Sequence, residues 1–187
     1  MLSPQAIARL LAQQPITQRQ PWASGDERLV EEYLRRVGIA VEKETQTHSR
    51  IEWDDYGSGY ASFVDAWFYR TTPEFDVERS YRHGEAHVGL VVLLSRLSPY
   101  FVFMEGEKHW HAHGGSSYLP DFDMLDRLQT PAVASLAQQV QRVLESNGLE
   151  RVLREQLEAP LAPGTHVPTN LADDGFTQFD ALFHWLD

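Results

Sequence analysis

The chain has 187 residues, 42% hydrophobic and 23% charged, with 27 acidic against 16 basic side chains and a formal net charge of −11. That length suits one domain around one core, and the acidity argues against non-specific nucleic-acid binding, which needs Lys and Arg to displace counterions. The absence of cysteine excludes disulfides, thiolate metal sites and a Cys nucleophile.

Residues 1–14 offer neither a basic leader nor a continuous apolar stretch, and no run reaches membrane-spanning length, so the expected setting is cytoplasmic and away from membrane. Ser3-Pro4 predicts a helix start ahead of Ile7, Leu10 and Leu11, with Pro15 ending it. Ser24-Gly25-Asp26-Glu27 reads as a capping box. It opens a helix whose stripe is Leu29, Val30, Tyr33, Leu34 and Val37, with Gly38 as its stop. Residues 39–45 set Ile39 and Val41 against Glu42 and Glu44, which predicts a half-exposed strand. Residues 47–59 read as a polar segment closed by the turn signal Gly57-Ser58-Gly59. Residues 60–70 predict a strand with Phe63, Trp67 and Tyr69 on one face and Tyr60, Val64 and Phe68 on the other, and Asp65 among the aromatics; Pro73 closes it. A charged connector follows over residues 71–85.

Residues 86–105 are the stretch around which the rest is organised. Val88, Leu90, Val92 and Leu94 alternate with Gly89, Val91 and Leu93, so both faces are apolar and the strand is buried on both sides. Ser95-Arg96-Leu97-Ser98-Pro99 breaks it, and Tyr100, Phe101, Val102, Phe103 and Met104 return as the second arm of a hairpin. Phe122, Leu125 and Leu128 predict a short helix within residues 118–128. Thr130-Pro131 opens a longer one lined by Val133, Leu136, Ala137, Val140, Val143 and Leu144, with Asn147-Gly148 at its end. Leu149, Val152, Leu153 and Leu157 continue as another short helix. Residues 159–175 are a loop, and residues 176–186 predict a final aromatic strand tied into the sheet. The reading is a single α+β domain over residues 1–187, with a mostly antiparallel sheet of four to six strands and helices packed against it.

Chemistry concentrates in Glu105-Gly106-Glu107-Lys108-His109-Trp110-His111-Ala112-His113. On a strand, positions two apart share a face, so His109, His111 and His113 would project together and suit zinc or a non-haem metal. Rings on one strand face lie along a line, however, so a third ligand would have to come from His83, His87 or Glu105. A metal-dependent enzyme using this cluster is therefore the alternative reading, and the first expectation is no metal and no cofactor. Ser116 or Ser117 with His113 and Asp121 would be a hydrolytic set, but the Gly-x-Ser-x-Gly elbow is missing. Gly114-Gly115-Ser116-Ser117 lacks the lysine of a phosphate cradle. Asp65 beside Trp67, and Asp180 near His184 and Trp185, are acid/base candidates whose simpler role is structural. The acidic loop residues Glu52, Asp54, Asp55, Glu74, Asp76, Asp173 and Asp174, with Trp53, are the expected contacts for a basic protein partner.

VVLLSRLSPYFVFM in the middle and FTQFDALFHWLD at the end resemble small bacterial immunity proteins, encoded beside polymorphic or contact-dependent toxins. Phe179, Leu182, Phe183, Trp185 and Asp187 carry the terminal pattern. The resemblance implies a single cytoplasmic, non-enzymatic domain that binds and neutralises a cognate toxin. A subunit of a larger assembly, its acidity serving solubility, is the third reading.

Overall fold

A computed structural model describes residues 2–57, 59–77, 84–112, 114–172 and 174–186. Helix α1 (Pro4–Leu11) begins as the sequence requires, with Ser3 Oγ accepting the Ala6 N–H at 3.1 Å. Helix α2 (Glu27–Thr45) departs from expectation at both ends. Its cap is Asp26, whose carboxylate accepts the Arg28 N–H at 3.0 Å; Ser24 Oγ takes the Asp26 N–H at 3.1 Å instead. The helix also runs through Gly38 to Gln46, which ends it in the left-handed region at φ 53°. Residues 39–45 are thus helix and not strand. Val30, Leu34, Val37 and Val41 are all buried and keep the helical period, which outweighs a four-residue alternation. Gly38 marks an approach to the sheet: a Cβ there would meet Ile51 Cδ1 at 3.1 Å.

The sheet collects β1 (His48–Glu52), β3 (Phe63–Tyr69), β4 (Glu85–Ser95), β5 (Tyr100–His111) and β6 (Gly114–Ser117) in that spatial order, all antiparallel. A short β7 (Glu150–Arg151) runs parallel to the start of β5, and β2 (Tyr60–Ala61) pairs with β8 (Trp185–Leu186) in a separate two-stranded ribbon. The expected hairpin is therefore the centre of an α+β fold. β1 is the strand that the sequence hides in a polar segment. Helix α3 (Pro131–Ser146) lies where Thr130-Pro131 places it. Residues 118–128 make only a short 3-10 turn at Phe122–Met124, and residues 149–157 divide into β7 and the one-turn α4 (Arg154–Leu157).

The C-terminal segment is a correction in form. Residues 176–186 are not one strand but α5 (Gln178–Leu182) followed by β8. Thr177 and Asp180 close a capping box, with Asp180 Oδ2 accepting from the Thr177 N–H at 2.7 Å and its Oγ1 at 2.9 Å. The burial expected of a strand face is achieved all the same, since Phe179, Ala181 and Phe183 are buried while Trp185 is half-buried.

The register assigns the side chains to two faces. One carries Val64, Ala66, Phe68, Leu90, Val92, Leu94, Phe101 and Phe103, all buried, and receives α2 and α3. Glu105, on this same face, anchors the residues that lead into α3: its carboxylate accepts the N–H of Gln129 and of Thr130, each at 2.9 Å, and the Thr130 hydroxyl at 2.8 Å. The other face holds Phe63, Asp65, Trp67, Tyr69, His87, Lys108 and Trp110, and the sheet curls around it.

Candidate functional site

Two glycines make this second face. Gly89 and Gly106 are cross-strand partners in the middle of the sheet. A Cβ on Gly89 would lie 2.5 Å from Trp67 Nε1, and one on Gly106 would run into the Tyr118 ring. Without side chains there, Trp67 and Tyr118 lie close against the sheet, and Trp67 Nε1–H donates to Gly106 O at 2.9 Å. Trp67 stacks on Tyr69 at 4.4 Å, and Trp110 meets both edge-on, at 6.0 and 5.8 Å. His87 joins this cluster 5.0 Å from Tyr69, with its Nδ1 3.0 Å from Asp76 Oδ1.

Asp65 sits in the floor, 2% exposed. Its carboxylate accepts the Tyr56 hydroxyl at 2.7 Å and the Tyr118 hydroxyl at 2.6 Å. Burial pushes the Asp65 carboxyl above its ordinary value, against the opposing pull of Lys108 and the two phenols. Burial likewise drives Lys108 down, with Asp65 resisting, so exclusion of water moves both partners toward their neutral forms. Tyr56 and Tyr118 are raised by burial first and by Asp65 second, and remain donors at any ordinary pH. A carboxyl so buried, with both oxygens engaged, has no approach for a substrate. The trio ties β3, residues 55–57 and the chain after β6 to one point. Sequence reasoning noticed Asp65 but not its phenols; the signal within reach was the pair of glycines inside two strands.

The expected partner-binding residues fall into separate groups. Glu52, Trp53, Asp54 and Asp55 form one corner at the end of β1, with α2 beside it. Arg96 holds Asp55 at 3.1 Å, donates to Trp53 O at 2.9 Å and lies 3.9 Å from Glu31. Arg35 covers the Trp53 ring at 4.1 Å. Asp55 and Tyr56 both adopt left-handed backbone, φ 52° and 57°, uncommon outside glycine. The Tyr56 bond to Asp65 and its ring contact with Trp185 at 4.8 Å hold that turn. Glu74 and Asp76 lie beyond the far end of β3, roughly 20 Å away at the usual rise per residue. Asp174 is exposed in the loop before α5, and Asp173 lies outside the described residues.

β5 extends to His111, so His109 and His111 do share a face, with rings 5.3 Å apart. His113, like His83, lies outside the described residues. Among the described residues no group of three or more His, Asp or Glu side chains is arranged to hold a metal ion. Ser116 and Ser117 are exposed on β6, and Asp121 caps the turn at Phe122–Met124 through the Asp123 N–H at 2.6 Å. Asp180 is spent on the α5 cap, and His184 is buried with Nδ1 3.2 Å from Ala181 O. No described helix is long and apolar enough to cross a membrane. Compared with known proteins, the chain matches no family model, no curated protein and no solved structure.

Proposed function

We propose that this protein is a non-enzymatic binding protein, an immunity-type inhibitor that captures a basic bacterial toxin in the cytoplasm through its acidic surface. The observation that carries the reading is the corner at the end of β1. Glu52, Trp53, Asp54 and Asp55 follow one another there and Glu31 of α2 joins them through Arg35 and Arg96, so among the described residues four carboxylates share this corner with two paired cations. A half-buried aromatic at a corner where carboxylates outnumber cations suits a partner of opposite charge. The Asp65 network supports the same choice from the other side, because its acid is locked and out of reach of a substrate.

The test uses the polypeptide encoded by the neighbouring reading frame, purified and mixed with this chain. Its association rate should fall about tenfold or more between low and high salt, as for charge-steered encounters. Asp54→Asn with Glu52→Gln should slow association at low salt while changing dissociation less. A rate indifferent to salt would remove electrostatic capture. A neighbour without toxicity, or one that fails to bind, would remove the immunity reading altogether.

A further inference from the structure

A slot of about 450 Å³ opens between the two outer strands of the curled sheet, with Arg50 and Glu52 of β1 on one side and Gly115 and Ser117 of β6 on the other. Lys108 and Trp110 of β5 line it as well. Among the described residues both bordering strands are sheet edges: β1 pairs only with β3, and β6 only with β5. Their outer backbone groups are a template for another strand, and the small exposed side chains of β6 leave that edge uncovered.

The slot also carries the wrong sign of charge for so acidic a chain. Arg50 lies over the Trp110 ring at 3.8 Å and Lys108 over the Tyr118 ring at 4.7 Å. Among the described residues neither cation has a carboxylate within ion-pair distance or a hydrogen-bond acceptor. Asp65 lies near Lys108 but spends both carboxylate oxygens on Tyr56 and Tyr118. Glu52 accepts the Asp54 N–H at 2.9 Å and the Tyr56 N–H at 3.4 Å. Two cations facing a cleft bounded by strand edges suit an anion delivered on an extended backbone; a free anion would leave the edges unpaired.

We propose that this slot docks an extended acidic peptide segment of a partner protein, which adds a strand along the β1 and β6 edges and seats a carboxylate between Arg50 and Lys108. The inference does not rest on the toxin reading: the slot and the acidic corner share Glu52 but would take partners of opposite charge.

The probes are a blocked pentapeptide, acetyl-Val-Thr-Glu-Val-Thr-amide, its Gln counterpart, its N-methylated form and inorganic phosphate, each titrated into the full chain and followed by amide NMR shifts. The Glu peptide should shift residues 48–52 and 114–117. The Gln and N-methylated peptides should bind at least tenfold more weakly, as should the Glu peptide to Arg50→Gln or Lys108→Gln protein of unchanged melting temperature. Arg50 is exposed, so its variant keeps the test open if the Lys108 variant unfolds. Absence of shifts at millimolar peptide, equal binding of the Gln peptide, or indifference to Arg50→Gln would overturn the proposal. Saturation of the same residues by phosphate alone, with the N-methylated peptide binding as well as the parent, would make the slot a plain anion site and overturn the strand.

Discussion

The two faces of the sheet are made from the same strands and are stabilised in different ways. Among the described residues the buried part of the face under α2 and α3 is aliphatic and aromatic, and Glu105 beside it is spent on the residues that lead into α3. The face inside the curl buries Asp65, His87, Trp67 and Tyr69, with Trp110 half-buried against them. Burial on the first follows area removed from water, which is non-directional and tolerant of detail. On the second, each polar atom needs a particular partner, so geometry is specified by hydrogen bonds and by two missing side chains at Gly89 and Gly106.

The comparison breaks most visibly by truncation on the helix-covered face. Phe103 is fully buried, and Phe103→Ala should cost about 3–5 kcal/mol in denaturant unfolding, by the same amount at pH 5 and pH 8. Asp65→Ala comes next, at about 2–4 kcal/mol, because two buried phenols lose their acceptor. Here pH matters. The folded-state value of Asp65 is raised, so the stability it contributes is fully present below the ordinary carboxylate value and is lost as pH rises through the folded value. The cost of Asp65→Ala should therefore shrink with rising pH over that window; a cost that grows would show that the acid is held ionised. The smallest effect belongs to His184, whose pKa burial lowers. Its contribution is present above the ordinary histidine value and fades as pH falls below it, so His184→Gln should flatten the dependence of melting temperature on pH between 7 and 5. An unchanged slope would place the acid sensitivity elsewhere.

How legible these faces were follows from the range of the interactions. The hairpin and α3 rest on local periodicity, and both appear where the sequence puts them. Gly38 misled because a glycine that ends a helix and one that lets a helix approach a sheet look alike in sequence; Ile51, which decides between them, is on another element. β1 was hidden because a five-residue edge strand with polar alternate positions has the composition of a loop. α5 reads as a strand in the sequence because five residues are too few for the helical period to show against an aromatic run. At the site, Asp65 stood out as an acid among aromatics, but its partner Tyr118 is 53 residues further along the chain. The acidic corner was legible as far as residues 52–55 are consecutive, while the share taken by Arg96 and Glu31 was not.

The ties made by Ser62 have a kinetic consequence. Its hydroxyl donates to Leu182 O at 3.0 Å and accepts the His184 N–H at 2.8 Å, while its N–H donates to His184 O at 2.9 Å, across more than a hundred residues. Leu2 N–H reaches Gln178 Oε1 over a separation of 176 residues. Contacts of such separation carry the largest loop-closure entropy and are expected last, after the hairpin and α3 have formed. Ser62→Ala should then speed unfolding and leave the refolding rate nearly unchanged, the mark of an interaction absent from the transition state; slowed refolding would put the closure of this ring early. Until it closes, Phe63 has no Phe183 to cover it, and a nascent chain carries an aromatic surface open to self-association for as long as residues 176–186 are missing.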